Sequence, residues 1–297
     1  MTFATILAAV SIVFPPEGAK LPYLERCYVM GAADAGEEVV QLRGCEVAVG
    51  RTGAWATVID VKPGTNVVEV GDARRTFVVG PSGPSGAKGP DKKIYKKLDY
   101  AADRAKPHPS GKSPGEITVV IDAGHGGHDT GAMSPHGLPE KDANLRLAKA
   151  VRDELLRRGY RVVMTREDDT FVELYDRPKA AHGAKADLFV SIHHNAPGYA
   201  SNPFAIRSQS VYAWNVLGER LAKAINARMA AADPALANDG VLHANFAVTR
   251  NPEIPSCLIE ADFITHPDGE GAVWDASRRP EIAAAIADGI ADWVACR

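Results

Sequence analysis

The chain has 297 residues, enough for one large domain or two ordinary ones. Hydrophobic residues make up 45% of the chain and charged residues 24%, a balance expected of a globular protein with a buried core. The formal net charge of −3 gives no indication of a nucleic-acid partner, and no segment stays apolar for long enough to span a bilayer.

The N-terminal segment MTFATILAAVSIVF, residues 1–14, is apolar. One interpretation is the remnant of a secretion signal, although the basic residues that usually begin such a signal are absent. The other interpretation is that residues 11–14 already belong to the first strand of a domain. Cleavage after the alanine pair would be compatible with both, so the sequence leaves the two open.

Residues 1–80 predict a small all-β, sandwich-like domain. Short β-branched runs alternate with turn signals, in the order VVQLRG, CEVAVG, RTGAW, ATVIDV, VVEV and TFVV. Trp55 is interpreted as a core aromatic residue. Cys27 and Cys45 both lie in strand-like runs, where they are either cross-linked, as in an exported protein, or two buried free thiols. Cys257 is predicted to be a small core residue.

Residues 81–115 change abruptly in composition, beginning with GPSGPSGAKGPDKK. Glycine, proline and serine at this density are typical of a linker. The stretch DKKIYKKLDYAADRA has the pattern of a short helix. The favoured interpretation of this stretch is a solvated linker. The alternative is that its lysines contact an anionic polymer.

Residues 116–297 alternate between strand and helix patterns. The runs ITVVIDAG, YRVVMTR, DLFVSIHHN and PSCLIEADF predict strands, and the segments between and after them carry apolar residues at helical spacing. This order predicts an α/β fold, with a mostly parallel twisted sheet between helices. In such sheets, ligands bind at the carboxyl ends of the strands.

Four polar residues fall at that edge of the predicted sheet. His125 follows the first strand, Glu140 opens the next helix, and His193 and Glu260 end two later strands. Two imidazoles and one carboxylate suit an open zinc site with water as the fourth ligand, and a second carboxylate can take a proton from that water. Each residue alone also has a structural explanation, such as a capping or strand-end hydrogen bond.

The local motifs resemble the zinc N-acetylmuramoyl-L-alanine amidases of the Amidase_3 family. The resemblance covers about the last three fifths of the chain, in the ordered blocks DAGHGGHDTGA, LPEKDANLRLA, RPKAAHGAKADLFVSIHHNA and ANFAVTRNPEIPSCLIEADFITHP. It implies a peptidoglycan hydrolase of the cell envelope, periplasmic or extracellular, that cleaves the amide between the lactyl group of N-acetylmuramic acid and L-alanine. Matching block by block, it implies Zn²⁺ ligands at His125, Glu140 and His193, and a general base at Glu260.

Neighbouring residues admit further roles. Adjacent residues of a strand point to opposite faces, so only one of His193 and His194 can readily face the metal. The resemblance of the S-I-H block to the family motif implies that it is His193. Asp122 is predicted either to orient a ligand imidazole or to make a loop hydrogen bond. Arg177 and Asn195 are interpreted as structural or substrate-positioning residues, with the structural role favoured, and His243 and Asn245 as candidate contacts of the stem peptide. His128 is interpreted as a surface loop residue, with a metal ligand or a substrate contact as the alternatives.

Two other functions remain open at this stage. The first is a zinc amidase or peptidase that acts on another amide, although the H-E-x-x-H helix of common metalloproteases is absent. The second is a non-catalytic wall-binding protein, which would have no need of all four polar residues. The all-β domain carries no motif, so it is either a wall-targeting module or a spacer. The sequence does not indicate an oligomeric state.

Overall fold

The structure is a computed structural model that describes residues 10–82, 109 and 111–295. The first nine residues of the apolar N-terminal segment lie outside the described part. So does most of the predicted linker, including its lysine-rich helix. The boundaries of the three predicted segments therefore stay a prediction.

Within residues 10–82, every regular element is a strand. They are β1 Ser11–Phe14, β2 Lys20–Leu21, β3 Arg26–Ala32, β4 Val39–Leu42, β5 Cys45–Ala48, β6 Ala54–Asp60, β7 Gly64–Val70 and β8 Ala73–Val79. One sheet has the order β1-β3-β6 and a second has the order β2-β8-β7-β4-β5. Both sheets contribute to one apolar core, with Trp55 from the first and Phe77 from the second fully buried. The prediction of an all-β N-terminal region is confirmed.

Local details of this region differ from the sequence pattern. The RTG of RTGAW forms a turn, and Ala54 onward belongs to the same strand as ATVID, so two predicted runs become one strand. Residues 11–14 do form the first strand. Cys27 is buried and Cys45 is exposed, and both are free thiols, so the structure contains no cross-link between them. Cys257 is buried, as predicted.

The C-terminal part forms one six-stranded sheet with the order β10-β9-β11-β14-β12-β13. Its strands are β9 Thr118–Ala123, β10 Arg161–Met164, β11 Leu188–Asn195, β12 Gln209–Ala213, β13 Asn238–His243 and β14 Ser256–Phe263. Its helices are α1 Glu140–Arg157, α2 Asp176–Gly183, α3 Val216–Ala232, α4 Pro267–Trp274 and α5 Arg278–Ala295. The pairs β10–β9, β9–β11 and β11–β14 are parallel, whereas β12 runs antiparallel to β14. The predicted α/β architecture is confirmed.

Helices cover both faces of this sheet because its central strands are apolar on both sides. Val190 and Ile192 of β11 join the larger core, together with apolar residues of α1, α3 and α5. Phe189 of the same strand joins a smaller core on the opposite face, beside Ala181 of α2. Alternation along β11 therefore sends His193 to the α2 face and His194 to the α1 face. No helix among the described residues is long and apolar enough to cross a membrane.

The N-terminal part, here called the β-domain, contacts the C-terminal part, here called the sheet domain, through polar groups. The backbone N–H of Tyr28 donates to the carbonyl of Tyr199 at 2.7 Å. The ring of His136 lies between Nε2···O of Thr52 at 2.9 Å and Nδ1···Oε2 of Glu270 at 2.6 Å. His136 belongs to the loop that leads into α1, so this contact lies only a few residues before Glu140.

Candidate metal centre

The four residues predicted from the strand ends come together at one edge of the sheet. The ligand atoms of His125, Glu140 and His193 all lie within 4.8 Å of one another. His125 Nε2 is 3.3 Å from Glu140 Oε2, and His193 Nδ1 is 3.0 Å from Glu140 Oε1. Two imidazoles around one carboxylate are a donor set suited to zinc. The assignment of these three residues as ligands stays a prediction, which this geometry supports.

Glycines make the close approach of these side chains sterically possible. A Cβ built on Gly124 would lie 2.2 Å from the His193 ring, and one on Gly131 would lie 2.5 Å from Glu140 Oε2. Both distances are far inside van der Waals contact, so any side chain at these positions would occupy the space of the cluster. The glycine-rich loop after β9 thus leaves room for the three side chains to meet.

Two side chains that the sequence analysis did not select orient the cluster. Asp129 Oδ2 lies 2.8 Å from His125 Nδ1, which leaves Nε2 turned toward Glu140. Asn144 Nδ2 donates to Glu140 Oε1 at 3.0 Å. A second hydrogen bond on a ligand fixes its tautomer and its direction. Sequence signals existed for both, since Asp129 follows His125 by four residues in one tight loop and Asn144 lies one helical turn after Glu140.

Burial and the contacts among the cluster residues shift the pKa values of these residues in opposite directions. Burial would lower the pKa of His125, but hydrogen bonds and charge from Glu140 and then Asp129 raise it to about 9. Burial would likewise raise the pKa of Glu140, whereas hydrogen bonds from His125 and His193 hold it well below its usual range. Glu140 is therefore an anion in the centre of the cluster.

Glu260 lies beside this cluster on the neighbouring strand, where it is in register with His193. Burial first, and then the charge of Glu140, raise the pKa of Glu260 well above its usual range. Its Oε2 atom is buried without a hydrogen-bond partner among the described residues. A divalent cation at the cluster would compensate that buried oxygen and favour the ionised carboxylate, so the residues present fit a metal ion.

A buried polar network holds the loop that carries His125. Asp122 accepts hydrogen bonds from Thr165 Oγ1 at 2.6 Å, Arg177 Nη1 at 2.9 Å and Ser191 Oγ at 2.6 Å. Arg177 Nη2 in turn donates to the carbonyl of His125, whose φ is +59°. Among the described residues, Asp122 thus acts on the ligand through an arginine and the backbone, rather than by a direct bond to an imidazole.

The remaining polar candidates lie outside the cluster. His194 is buried on the α1 face, with its Nδ1 2.8 Å from Asn144 Oδ1. His128 packs against Phe171 at a ring-centroid distance of 4.1 Å, and Asn195 accepts from the backbone of the next residue. His243 is half-exposed and lies 3.5 Å from Glu219.

An open groove of about 1180 Å³ passes over the cluster. Its floor carries His125, His193 and Glu260. One loop contributes residues 171–174 and a second contributes residues 245–248 together with Arg250. Apolar side chains prevail on both loops, as expected for a site that binds a small molecule or a polymer segment. Asn245 lies in this groove, as the substrate-contact interpretation expected.

Known proteins resemble this chain over the region that contains the six-stranded sheet and the cluster. Residues 119–292 match the family model Amidase_3, described as N-acetylmuramoyl-L-alanine amidase. The N-acetylmuramoyl-L-alanine amidase AmiA of Escherichia coli is 34% identical over 255 residues, covering 70% of this chain and 85% of its own length. Two solved structures align at 35% identity and cover 60% of this chain and 97% of theirs. They are the amidase AmiC2 of Nostoc punctiforme, with a TM-score of 0.57, and the catalytic domain of CwlV from Paenibacillus polymyxa, with a TM-score of 0.56.

Proposed function

The chain belongs to the Amidase_3 family of N-acetylmuramoyl-L-alanine amidases, and from this membership we propose that it is a zinc-dependent peptidoglycan hydrolase. The bond it cleaves is the amide between the lactyl group of N-acetylmuramic acid and L-alanine of the stem peptide. The observation that carries the metal assignment is the cluster of His125, Glu140 and His193 beside the orphaned oxygen of Glu260. Its place of action is the cell envelope, periplasmic or extracellular.

The residues of the cluster have separate roles in this proposal. His125, Glu140 and His193 hold the zinc ion, which supplies Lewis acidity to activate a water and to polarise the scissile carbonyl. Glu260 accepts a proton from the attacking water and then delivers it to the alanine nitrogen as that amine leaves. A carboxyl whose pKa is raised by burial is suited to both steps.

Hydrolysis of purified peptidoglycan by the full chain tests this proposal. Zinc-loaded protein should release intact stem peptides with a free L-alanine amine, identified by mass spectrometry, and chelated protein should release none. Products cut at another amide would support the alternative of a zinc amidase or peptidase with a different substrate. Binding to peptidoglycan without any product would support the non-catalytic alternative.

A further inference from the structure

Arg250 is a cation in the active-site groove whose guanidinium is not engaged by the residues that the structure describes. Of the charged residues in the groove outside the metal cluster, Asp129 is bonded to His125 and Arg177 to Asp122. Arg250 is exposed, and its guanidinium makes no hydrogen bond or ion pair with any residue in the described part of the chain. An arginine in this position is free to bind an anionic group of a molecule in the groove.

The backbone on both sides of Arg250 is fixed. The buried Thr249 donates through Oγ1 to the carbonyls of Ala244 at 2.8 Å and Phe246 at 3.2 Å. The buried Asn251 accepts through Oδ1 from the backbone N–H groups of residues 253 and 254. A side chain projecting from a rigid turn loses less conformational freedom when it binds a ligand than one on a flexible loop. The guanidinium is therefore presented by an ordered turn at the edge of the groove.

The chemistry of the proposed substrate indicates which anionic group Arg250 binds. The glycan half of a muramyl peptide consists of N-acetylated sugars without charge, whereas the peptide half carries free carboxylates beyond the alanine. We propose that Arg250 binds the carboxylate of the stem-peptide residue that follows L-alanine, and that it thereby selects acidic over amidated stem peptides. This inference rests on the proposed function.

The loop of residues 171–174 favours the same orientation of the substrate in the groove. Glu173 lines the groove on the loop of residues 171–174 and is exposed. A carboxylate of the substrate is repelled by Glu173 and attracted by Arg250, so charge distinguishes the two loops. The peptide half of the substrate accordingly lies along the loop of residues 245–250.

A matched pair of substrates tests the inference. Disaccharide tripeptides with either a free α-carboxylate or an α-carboxamide on the residue after alanine are hydrolysed by zinc-loaded full-length protein. We expect kcat/KM to be about tenfold higher for the carboxylate, as for one charge-assisted hydrogen bond. R250M should lose this preference by slowing only the carboxylate substrate, and R250K should retain part of it. The amide substrate reports any misfolding, because a folding defect would slow both.

Arg220, an exposed arginine of α3 outside the groove, provides the matched control. R220M makes the same change in net charge and should keep the preference. Equal rates for the two substrates in the wild-type protein, or an unchanged preference in R250M, would overturn the inference and leave the proposed function standing. If the wild-type protein cleaves neither substrate, the proposed function fails and the inference with it.

Discussion

At the scale of single residues, the candidate metal centre depends on partners as much as on ligands. His125 reaches Glu140 with Nε2 only because Asp129 occupies its Nδ1 atom. Asp129 was not selected although it follows His125 by four residues, because that spacing does not say which way its side chain turns. Glu140, His193 and Glu260 could be selected, because strand and helix ends meet at one edge of a parallel sheet.

Asp129→Ala should weaken zinc binding by about 10- to 100-fold, as loss of a carboxylate that orients a metal-ligating imidazole usually does. A competition titration against a chelator measures this affinity. Asp153→Ala, which removes an exposed carboxylate near the middle of α1, is the matched control and should leave the affinity unchanged. Equal affinities for the two variants would refute the orienting role.

Glu260→Gln should retain bound zinc and lose turnover by about 10²- to 10⁴-fold, the usual contribution of a general acid–base group. The amide side chain keeps the shape of the carboxylate but cannot take a proton from water. Metal content and the rate of peptidoglycan hydrolysis are measured on the same preparation. Retained hydrolysis in this variant would exclude Glu260 as the base.

At the scale of elements, the end of β9 is held by buried charge rather than by apolar packing. Asp122 is fully buried and Arg177 nearly so. Arg177→Met should lower the free energy of unfolding by about 3–5 kcal/mol, because it leaves a buried carboxylate without its cation. Denaturant unfolding measures this change. Arg157→Met removes an exposed partner of Glu154 and should cost less than about 1 kcal/mol, so similar losses in both would contradict the argument.

The alternation along β11 places the titratable side chain of His194 on the α1 face of the sheet, where it is buried. Burial lowers the pKa of His194 to about 4, whereas an unfolded histidine takes up its proton near 6.5. Between these values the unfolded state binds more protons, so the stability contributed by neutral His194 is complete above pH 6.5 and is lost as the pH falls toward 4. The loss reaches about 3 kcal/mol.

Urea unfolding of metal-free protein at pH 7.5 and pH 5 tests this dependence. His194→Gln should reduce the difference in unfolding free energy between the two pH values, because its side chain does not titrate. A wild-type-like difference in His194→Gln would count against the buried-histidine explanation.

The elements themselves were predictable where burial imposes a continuous apolar pattern. The strands β9, β11 and β14 and the helices α1, α3 and α5 follow from their sequences for this reason. The strands β12 and β13 and the helix α4 are not predicted by the sequence pattern. The strand β13, with the sequence NDGVLH, lies at the sheet edge and has no fully buried residue, so no alternation marks it. The helix α4 is short, and its position depends on its packing against β14 rather than on its own periodicity.

At the scale of the whole molecule, two cores are joined by a polar contact. The β-domain core and the core of the six-stranded sheet contain separate sets of residues. His136 links the two parts by facing an acceptor with each ring nitrogen, the carbonyl of Thr52 and the carboxylate of Glu270. Each part has its own core, so we expect two calorimetric unfolding transitions whose separation depends on this contact.

His136→Ala should lower the transition of the β-domain by about 4–8 °C, since a small domain shifts by that amount for each kcal/mol and the hydrogen bond to the Thr52 carbonyl contributes about 1 kcal/mol. The transition of the sheet domain should also fall, because the buried carboxylate of Glu270 loses its contact with the His136 ring. Differential scanning calorimetry measures both. His182→Ala, which removes a half-exposed imidazole from α2, should shift neither transition. A β-domain transition that does not move in His136→Ala would show that the other contacts between the two parts, such as the Tyr28–Tyr199 backbone bond and the stacking of Phe14 on Tyr199, are sufficient to dock them.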